Sequence, residues 1–266
     1  MKVYISADIE GITGITHWDE TEKSKPDYQV FAKQMTREVK AACEGAISIG
    51  TGEIWVKDAH DTGRNIIASE LPENVNLIRG WSGHPFLMIE GLDKSFDALI
   101  MIGYHSFGSS PFNPLSHTLN PTALNYVKLN GRMVSEFLIY TYAAATLEVP
   151  LVFISGDEGV CEEAKSLNKN IRTLTVNKGI GGSVISIHPE LAIKEIRREV
   201  EEALKEDINK YMVELPRHFK LELSFKDHAK AFKASFYPGA ERISSTCIAF
   251  ESDDYFEILR MLLFTT

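Results

Sequence analysis

The sequence predicts an α/β protein: a mostly parallel sheet with helices on both faces, plus a smaller C-terminal α+β part. Three observations predict it. Runs such as DALIMIG (97–103) and LVFIS (151–155) are apolar without polar alternation, the pattern of strands buried on both faces of a parallel sheet. Stretches with apolar spacings of three and four alternate with them, as helices that cover such a sheet do. No linker stands out, and the stretch 215–219 with Pro216 is the best candidate for a join that divides residues 1–214 from 215–266.

In order along the chain, residues 2–7 (KVYISA) read as a first strand. A helix over 28–49 places Phe31, Met35, Val39, Ala42 and Ala46 along one face. Residues 53–57 and 97–103 are the second and third strands. Asn130-Gly131 between two β-type segments predicts a hairpin over 123–134. A helix over 135–147 and strands over 151–155 and 171–176 follow. The clearest helix spans 189–212, where Ile193, Ile196, Val200, Leu204, Ile208 and Tyr211 form one stripe against a charged face. His188-Pro189 marks its start. Late strands occupy 219–224 and 246–250, and Asp253 opens a last helix with Tyr255, Ile258, Leu259, Leu262 and Leu263 on one face.

Composition narrows the function classes. With 266 residues, 44% apolar and 24% charged, the chain is ordinary globular material with enough length for a core. Lys plus Arg number 28 against 37 Asp plus Glu, a net charge of −9, which argues against a broad face for nucleic acid or anionic membrane. Cys43, Cys161 and Cys247 are scattered, odd in number and without CxxC spacing, so they read as buried or idle thiols in a reducing compartment. The N-terminal MKVYISADIEG does not read as a signal peptide. The most apolar window, 137–155, is broken by Glu148 and Pro150 and reads as a buried helix and strand. A soluble, cytoplasmic protein is expected.

In an open parallel sheet, ligands bind beyond the carboxyl ends of the strands. The first three strands are followed by Asp8-Ile9-Glu10-Gly11, by Asp58-Ala59-His60-Asp61 and by Tyr104-His105. Residues i and i+2 of an extended chain point the same way. Asp8 and Glu10 therefore aim two carboxylates into one cavity, and Asp58 and His60 do the same from the neighbouring strand. Crowded carboxylates resist ionisation unless a cation compensates, and one or two divalent metals are the simplest compensation. Mixed carboxylate and imidazole ligands suit zinc, with manganese or iron as alternatives. Taken singly, an Asp before Gly is ordinary turn chemistry and a His after a buried strand is more often structural. The convergence of three strand ends is what points to metal.

The other candidates are more open. His117 lies in SFGSSPFNPLSHTLNP (106–121), a loop rich in Gly, Ser and Pro, where a His is placed for proton transfer or attack. Glu136 opens a helix and reads as a capping or dipole residue. KGIGGS (178–183) lacks the Walker and dinucleotide spacings and reads as a flexible loop before the His188-Pro189 start. Asp157-Glu158 follows a strand, either to meet the cavity or to begin a helix. His17, His84, His218 and His228 have no supporting constellation.

In their order and spacing, SADIEGITG (6–14), VKDAHD (56–61), MIEGLD (88–93), GYHS (103–106), SHT (116–118) and NGRMVSE (130–136) resemble the zinc-dependent D-aminopeptidases, self-compartmentalising decameric peptidases, over nearly the whole chain. The resemblance implies two zinc ions per subunit held by Asp8, Glu10, His60, His105 and Glu136. Asp8 would bridge, with Glu10 and His60 on one ion and His105 and Glu136 on the other. His117 matches the family's catalytic histidine, as nucleophile or as general acid or base. Residues 1–214 would then be the metal-binding catalytic domain, acting on short peptides, with N-terminal D-residues among the candidates. A homo-oligomer of two stacked pentameric rings is implied, with no nucleic acid or membrane partner. The segment after Gly14 and the loop 107–114 are individual to this chain and are expected to border the site. The rival readings are a two-metal amidase or phosphoesterase, for which only Lys57, Arg64 and Arg132 stand near the motifs, and an inactive ring-forming peptide-binding homologue.

Overall fold

A computed structural model describes every residue, Met1–Thr266. In chain order its regular elements are β1 (Lys2–Ala7), α1 (Tyr28–Ser48), β2 (Glu53–Asp58), β3 (Val75–Ile78), β4 (Ala98–Tyr104), β5 (Leu124–Leu129), β6 (Arg132–Met133) and α2 (Glu136–Thr146). There follow β7 (Leu151–Asp157), α3 (Glu158–Leu167), β8 (Arg172–Ile180), β9 (Ser183–Ser186), α4 (Pro189–Lys205), β10 (Phe219–Phe225), α5 (His228–Ala234), β11 (Glu241–Arg242), β12 (Cys247–Ser252) and α6 (Tyr255–Thr265).

Seven strands form the larger sheet in the order β3-β2-β1-β4-β7-β8-β9. All pair in parallel except β9, which runs antiparallel to β8. The apolar runs are its centre: every residue of β4 and of β7 is buried. From β1 the chain builds outward through β2 and β3, then returns to β4 and builds the other way. Right-handed crossovers in opposite directions place α1 on one face and α2 and α3 on the other. Helix α4 lies against α1. The direction of building reverses between β1 and β4, and such a switch point leaves a crevice at the carboxyl ends of two adjacent strands.

The second sheet is antiparallel, in the order β11-β12-β10-β5-β6. Residues 215–266 supply β10, β11 and β12 together with α5 and α6, while the 124–133 hairpin supplies β5 and β6. Asn130 and Gly131 both take positive φ, 51° and 79°, the backbone a two-residue turn needs. Helix α6 lies against α2, where the Tyr255 hydroxyl donates to the Ile139 carbonyl at 2.8 Å. One continuous apolar core joins both parts.

Two elements depart from expectation. The helix expected over 189–212 ends at Lys205, and a separate 3-10 turn covers Ile208–Tyr211. The Asp207 carboxylate accepts from the Asn209 N–H and so caps a new turn in competition with the old helix. Tyr211 is still fully buried, so the stripe continues across the break. KGIGGS is the end of β8, a two-glycine turn and the start of β9, with Lys178 opposite Ile185 and Ile180 opposite Ser183; it is a hairpin on the sheet edge where a flexible loop was expected. The short β3, β9, β11 and α5 left no clear periodicity to read. All three cysteines are buried free thiols, and no helix is long and apolar enough to cross a membrane.

Candidate metal centre

At the switch point the segment after β1 is pressed against the end of β4. The Asp8 N–H donates to Ile102 O at 2.9 Å and the Gly11 N–H to Gly103 O at 2.8 Å. Both glycines are required by the approach. A Cβ on Gly11 would sit 1.9 Å from the Tyr104 carbonyl oxygen, and one on Gly103, at φ +71°, would sit 2.3 Å from that of Asp8. The segment is fixed from two more sides. Asn113 Nδ2 donates to Glu10 O at 2.9 Å, and the buried Glu38 of α1 accepts from the Thr13 N–H at 3.0 Å.

This brings Asp8, Glu10, His60, His105, His117 and Glu136 into one buried cluster. The ligand atoms of Asp8, Glu10 and His60 lie within 4.8 Å of one another, as do those of His105, His117 and Glu136. Asp8 joins the two groups: Oδ1 is 3.4 Å from His60 Nδ1 and Oδ2 is 3.5 Å from His105 Nε2. Glu10 Oε2 is 3.1 Å from His60 Nδ1. Glu136 faces His105 at 3.5 Å and His117 at 3.8 Å. Glu136 stands at the first position of α2, yet the helix cap is Ser135, which accepts from Leu138 N–H. The Glu136 carboxylate is instead turned into the cluster, held by the Leu119 N–H at 2.7 Å.

Each imidazole is locked by a backbone carbonyl. His60 Nε2 meets Thr21 O at 3.0 Å, His105 Nδ1 meets Ser106 O at 3.0 Å and His117 Nδ1 meets Leu115 O at 2.9 Å. A carbonyl only accepts, so each of those nitrogens carries the hydrogen. The other nitrogen of each ring faces carboxylate oxygens. A bare lone pair opposed to a carboxylate is repulsive, so the arrangement calls for a cation between them. Without a metal only protons supply it. Burial opposes charge on His105, but the Glu136, Asp8 and Glu10 carboxylates lift it to about 10. His60 is likewise raised, against its burial, by Glu10 and Asp8. Burial and then the neighbouring Glu10 push Asp8 well above the usual carboxylate range. Burial and the His105 charge push His117 down. His105 Nε2 and Glu10 Oε2 are both buried without a hydrogen-bond partner. Such a set of oxygen and imidazole donors, with the outer ring nitrogens tied to carbonyls, fits divalent zinc.

Two strand-end carboxylates have other work. Asp58 is turned from the cavity: it accepts from the Asn65 and Ile66 N–H groups and from Asn65 Nδ2, so it shapes the loop after β2, contrary to the expectation that it would join His60. Asp157 caps α3 through Val160 N–H and accepts from the Ser106 N–H at 2.7 Å, which sets the backbone next to His105. The remaining histidines are peripheral: His17 caps a 3-10 turn, and His218 pairs with Glu251 and Asp253 on the surface. Lys57, the nearest sequence candidate for a phosphate contact, is fully buried against Glu90 at 3.0 Å.

The cluster floors a cavity of about 250 Å³ with an apolar wall of Trp81, Leu87, Met88, Leu119 and Tyr140, and with Asp61, Asn120 and Thr266 also lining it. A second hollow of about 470 Å³ adjoins it across His60 and His117 and is bordered by Trp18, Thr21 and Glu22, so the segment after Gly14 does border the site. Trp18 lies 5.4 Å from the His117 ring, which stacks on His105 at 4.4 Å. Of loop 107–114, Asn113 reaches the site through its bond to the Glu10 backbone. The apolar wall is not legible as a unit in the sequence because its residues come from two connections and from α2 without a shared periodicity; Met88 within MIEGLD and Leu119 two residues after His117 were the available signals.

Comparison with known proteins places the whole chain among similar sequences and a similar fold. The sequence model of a family described as D-aminopeptidase matches residues 1–264. A D-aminopeptidase of Bacillus subtilis (strain 168) is 28% identical over 268 residues, covering 100% of this chain and 97% of that protein. The solved structure of the Zn-dependent D-aminopeptidase DppA from Bacillus subtilis, a self-compartmentalizing protease, superposes with a TM-score of 0.91 at 28% identity, covering 100% of this chain and 96% of that one.

Proposed function

The chain belongs to the D-aminopeptidase family of metallopeptidases, and from that premise we propose that it removes N-terminal residues from short peptides with two zinc ions held by Asp8, Glu10, His60, His105 and Glu136. The observation that carries the two-ion reading is Asp8, whose two oxygens face imidazoles of different groups at 3.4 and 3.5 Å. Asp8 would serve both ions, with Glu10 and His60 holding one and His105 and Glu136 the other. Zinc in such a pair supplies Lewis acidity, polarising a peptide carbonyl and making water a nucleophile near neutral pH.

The chain's own groups do the rest. His117 is the general base. Its Nδ1–H is committed to Leu115 O, so the Nε2 lone pair faces the cavity, takes the proton from the attacking water and returns it to the leaving amine. Burial disfavours the protonated ring and so keeps the imidazole neutral for this. The Leu119 N–H, two residues beyond His117, keeps Glu136 in place. Asp8, Glu10, His60, His105 and Glu136 are themselves buried, where charge interactions are stronger than in water. Self-compartmentalization of the related DppA supports a homo-oligomer here, with two pentameric rings as the proposed form and the cytoplasm as its place.

Since the Nε2 of His117 lies close to the His105–Glu136 group, it stands also where a ligand would. Elemental analysis of His117→Ala separates the roles. Two zinc per chain with turnover of alaninamides reduced at least about 100-fold is the expected result. Loss of one zinc would make His117 a ligand. Failure of His60→Ala and His105→Ala to reduce zinc content would overturn the centre altogether.

A further inference from the structure

We propose that Trp81, Leu87 and Leu119 form the pocket that selects the side chain of the substrate's N-terminal residue, and that it takes an aliphatic one. The inference rests on the aminopeptidase reading of the same cavity and adds its specificity.

The backbone carries the first observation. Only six residues other than glycine have positive φ, and three of them, Asp61 (41°), Leu87 (40°) and Leu119 (65°), border the cavity over the metal cluster. A leucine in the left-handed region crowds its own Cβ against the backbone. Such conformations persist where the surroundings over-determine them, which is mostly at functional sites. Here each has a visible reason. At Leu119 the backbone aims its N–H at the Glu136 carboxylate. At Asp61, directly after His60, it presents a carbonyl to Trp81 Nε1 at 2.6 Å. At Leu87 no polar contact of its side chain is served; the turn places a half-buried isobutyl group in the cavity wall.

The second observation is how firmly Trp81 is held. Beneath it the buried Lys57 ammonium lies 4.0 Å from the indole centroid, bonded to the Gly80 carbonyl and to Glu90. Glu90 in turn accepts from the Ser82 N–H at 2.9 Å. The loop that carries Trp81 is thus bound on both sides of the indole, and the indole on its edge and its face. A wall so fixed discriminates by shape, because it does not give way to a larger group. The cavity is about 250 Å³, below the size of ordinary small-molecule pockets. It has room for one side chain beside the cluster, and the adjoining hollow of about 470 Å³ takes the rest of the peptide. Trp81, Leu87, Met88, Leu119 and Tyr140 give the cavity an apolar wall, against which an aliphatic side chain is buried favourably and an anionic one would be desolvated without a partner.

The test compares the zinc-loaded wild type with Leu87→Gly and Leu87→Asn on D- and L-alaninamide, leucinamide and phenylalaninamide, with zinc content measured for each. Both substitutions suit a left-handed backbone; Gly opens the pocket, whereas Asn nearly keeps its bulk and brings an amide. The wild type is expected to favour alaninamide and leucinamide over phenylalaninamide. Leu87→Gly should raise the kcat/KM ratio of phenylalaninamide to alaninamide at least about 10-fold at unchanged zinc content, and Leu87→Asn should lower leucinamide relative to alaninamide without that gain. A wild type indifferent to side-chain size, or a Leu87→Gly variant that changes all three equally, overturns the proposal. Calorimetric binding of free leucine and phenylalanine decides separately from turnover. If no amide is cleaved but leucine binds and Leu87→Gly shifts preference to phenylalanine, the pocket stands and the aminopeptidase reading falls. Absence of any such shift ends the proposal whatever the turnover.

Discussion

Substituting Gly103 by alanine perturbs the site without touching a ligand. The new Cβ would lie 2.3 Å from the Asp8 carbonyl oxygen, and ordinary contact begins at 3.4 Å. Asp8 must therefore retreat by about 1 Å, or β4 must shift equally, and either opens the Asp8–His105 separation. A misplacement of ~1 Å at a reacting centre costs about 100-fold in rate. The substitution also forces alanine to φ +71°, a strain of roughly 1–2 kcal/mol by itself. Gly131→Ala isolates that strain, because Gly131 has φ +79° and nothing within 4 Å of the added carbon. Gly131→Ala should lose ~1–2 kcal/mol in urea denaturation of the chelated protein, and Gly103→Ala should lose more, because the overlap with Asp8 adds to the same strain. Only Gly103→Ala should bind fewer than two zinc at limiting metal and lose about 100-fold in kcat/KM on alaninamide. If Gly103→Ala stayed within about twofold of Gly131→Ala in both measurements, the close approach of the β1 end to the β4 end would not be what assembles the centre.

Glu163, buried beneath the Ser135 cap, gives a pH signature. Burial lifts its carboxyl to about 7, against the hydrogen bond from Ser135. A folded-state value above the unfolded one means that stability is full below ~4.5 and is lost as pH rises through about 7, by roughly 3 kcal/mol for a shift of this size. Glu163→Gln should remove that slope and unfold later in urea than wild type at pH 8; identical pH dependence in the two proteins would refute the assignment. The Lys57–Glu90 pair is buried on both sides. Lys57→Met or Glu90→Gln alone should cost about 3–5 kcal/mol by stranding the partner charge, while the double variant recovers much of it; strictly additive losses in chemical denaturation would show that the two do not act as a pair. Chelation should lower the melting temperature by releasing the carboxylates from their cation, and zinc should restore it; a melting curve indifferent to chelator would argue against a buried metal.

What the sequence determined by itself was the set of elements with strong period and the positions where strands end. Strand β4 is apolar throughout because both its faces are covered, and that leaves its mark on every residue. Asp8 and Glu10 were legible because alternation along an extended chain and the carboxyl-end rule are both local. His60 and His105 followed by the same reasoning. Asp58 shared that alternation and was misplaced by it, since three donors from the loop 65–66 capture its carboxylate; hydrogen bonds to a later segment cannot be read from spacing. Glu136 had the position of a capping residue, and only the resemblance to known peptidases separated it from one. Its direction is decided by the Leu119 N–H, 17 residues away in sequence. Likewise the hairpin at KGIGGS and the break after Lys205 depend on contacts across the sheet edge and on an Asp that competes with the helix. The tertiary structure alone decided that Trp81, Leu87 and Leu119 meet above the cluster. Trp81 and Leu87 arrive on the connection between β3 and β4 and Leu119 on the loop between β4 and β5, with no shared periodicity, and what unites them is a cavity that exists only once β1 and β4 lie side by side.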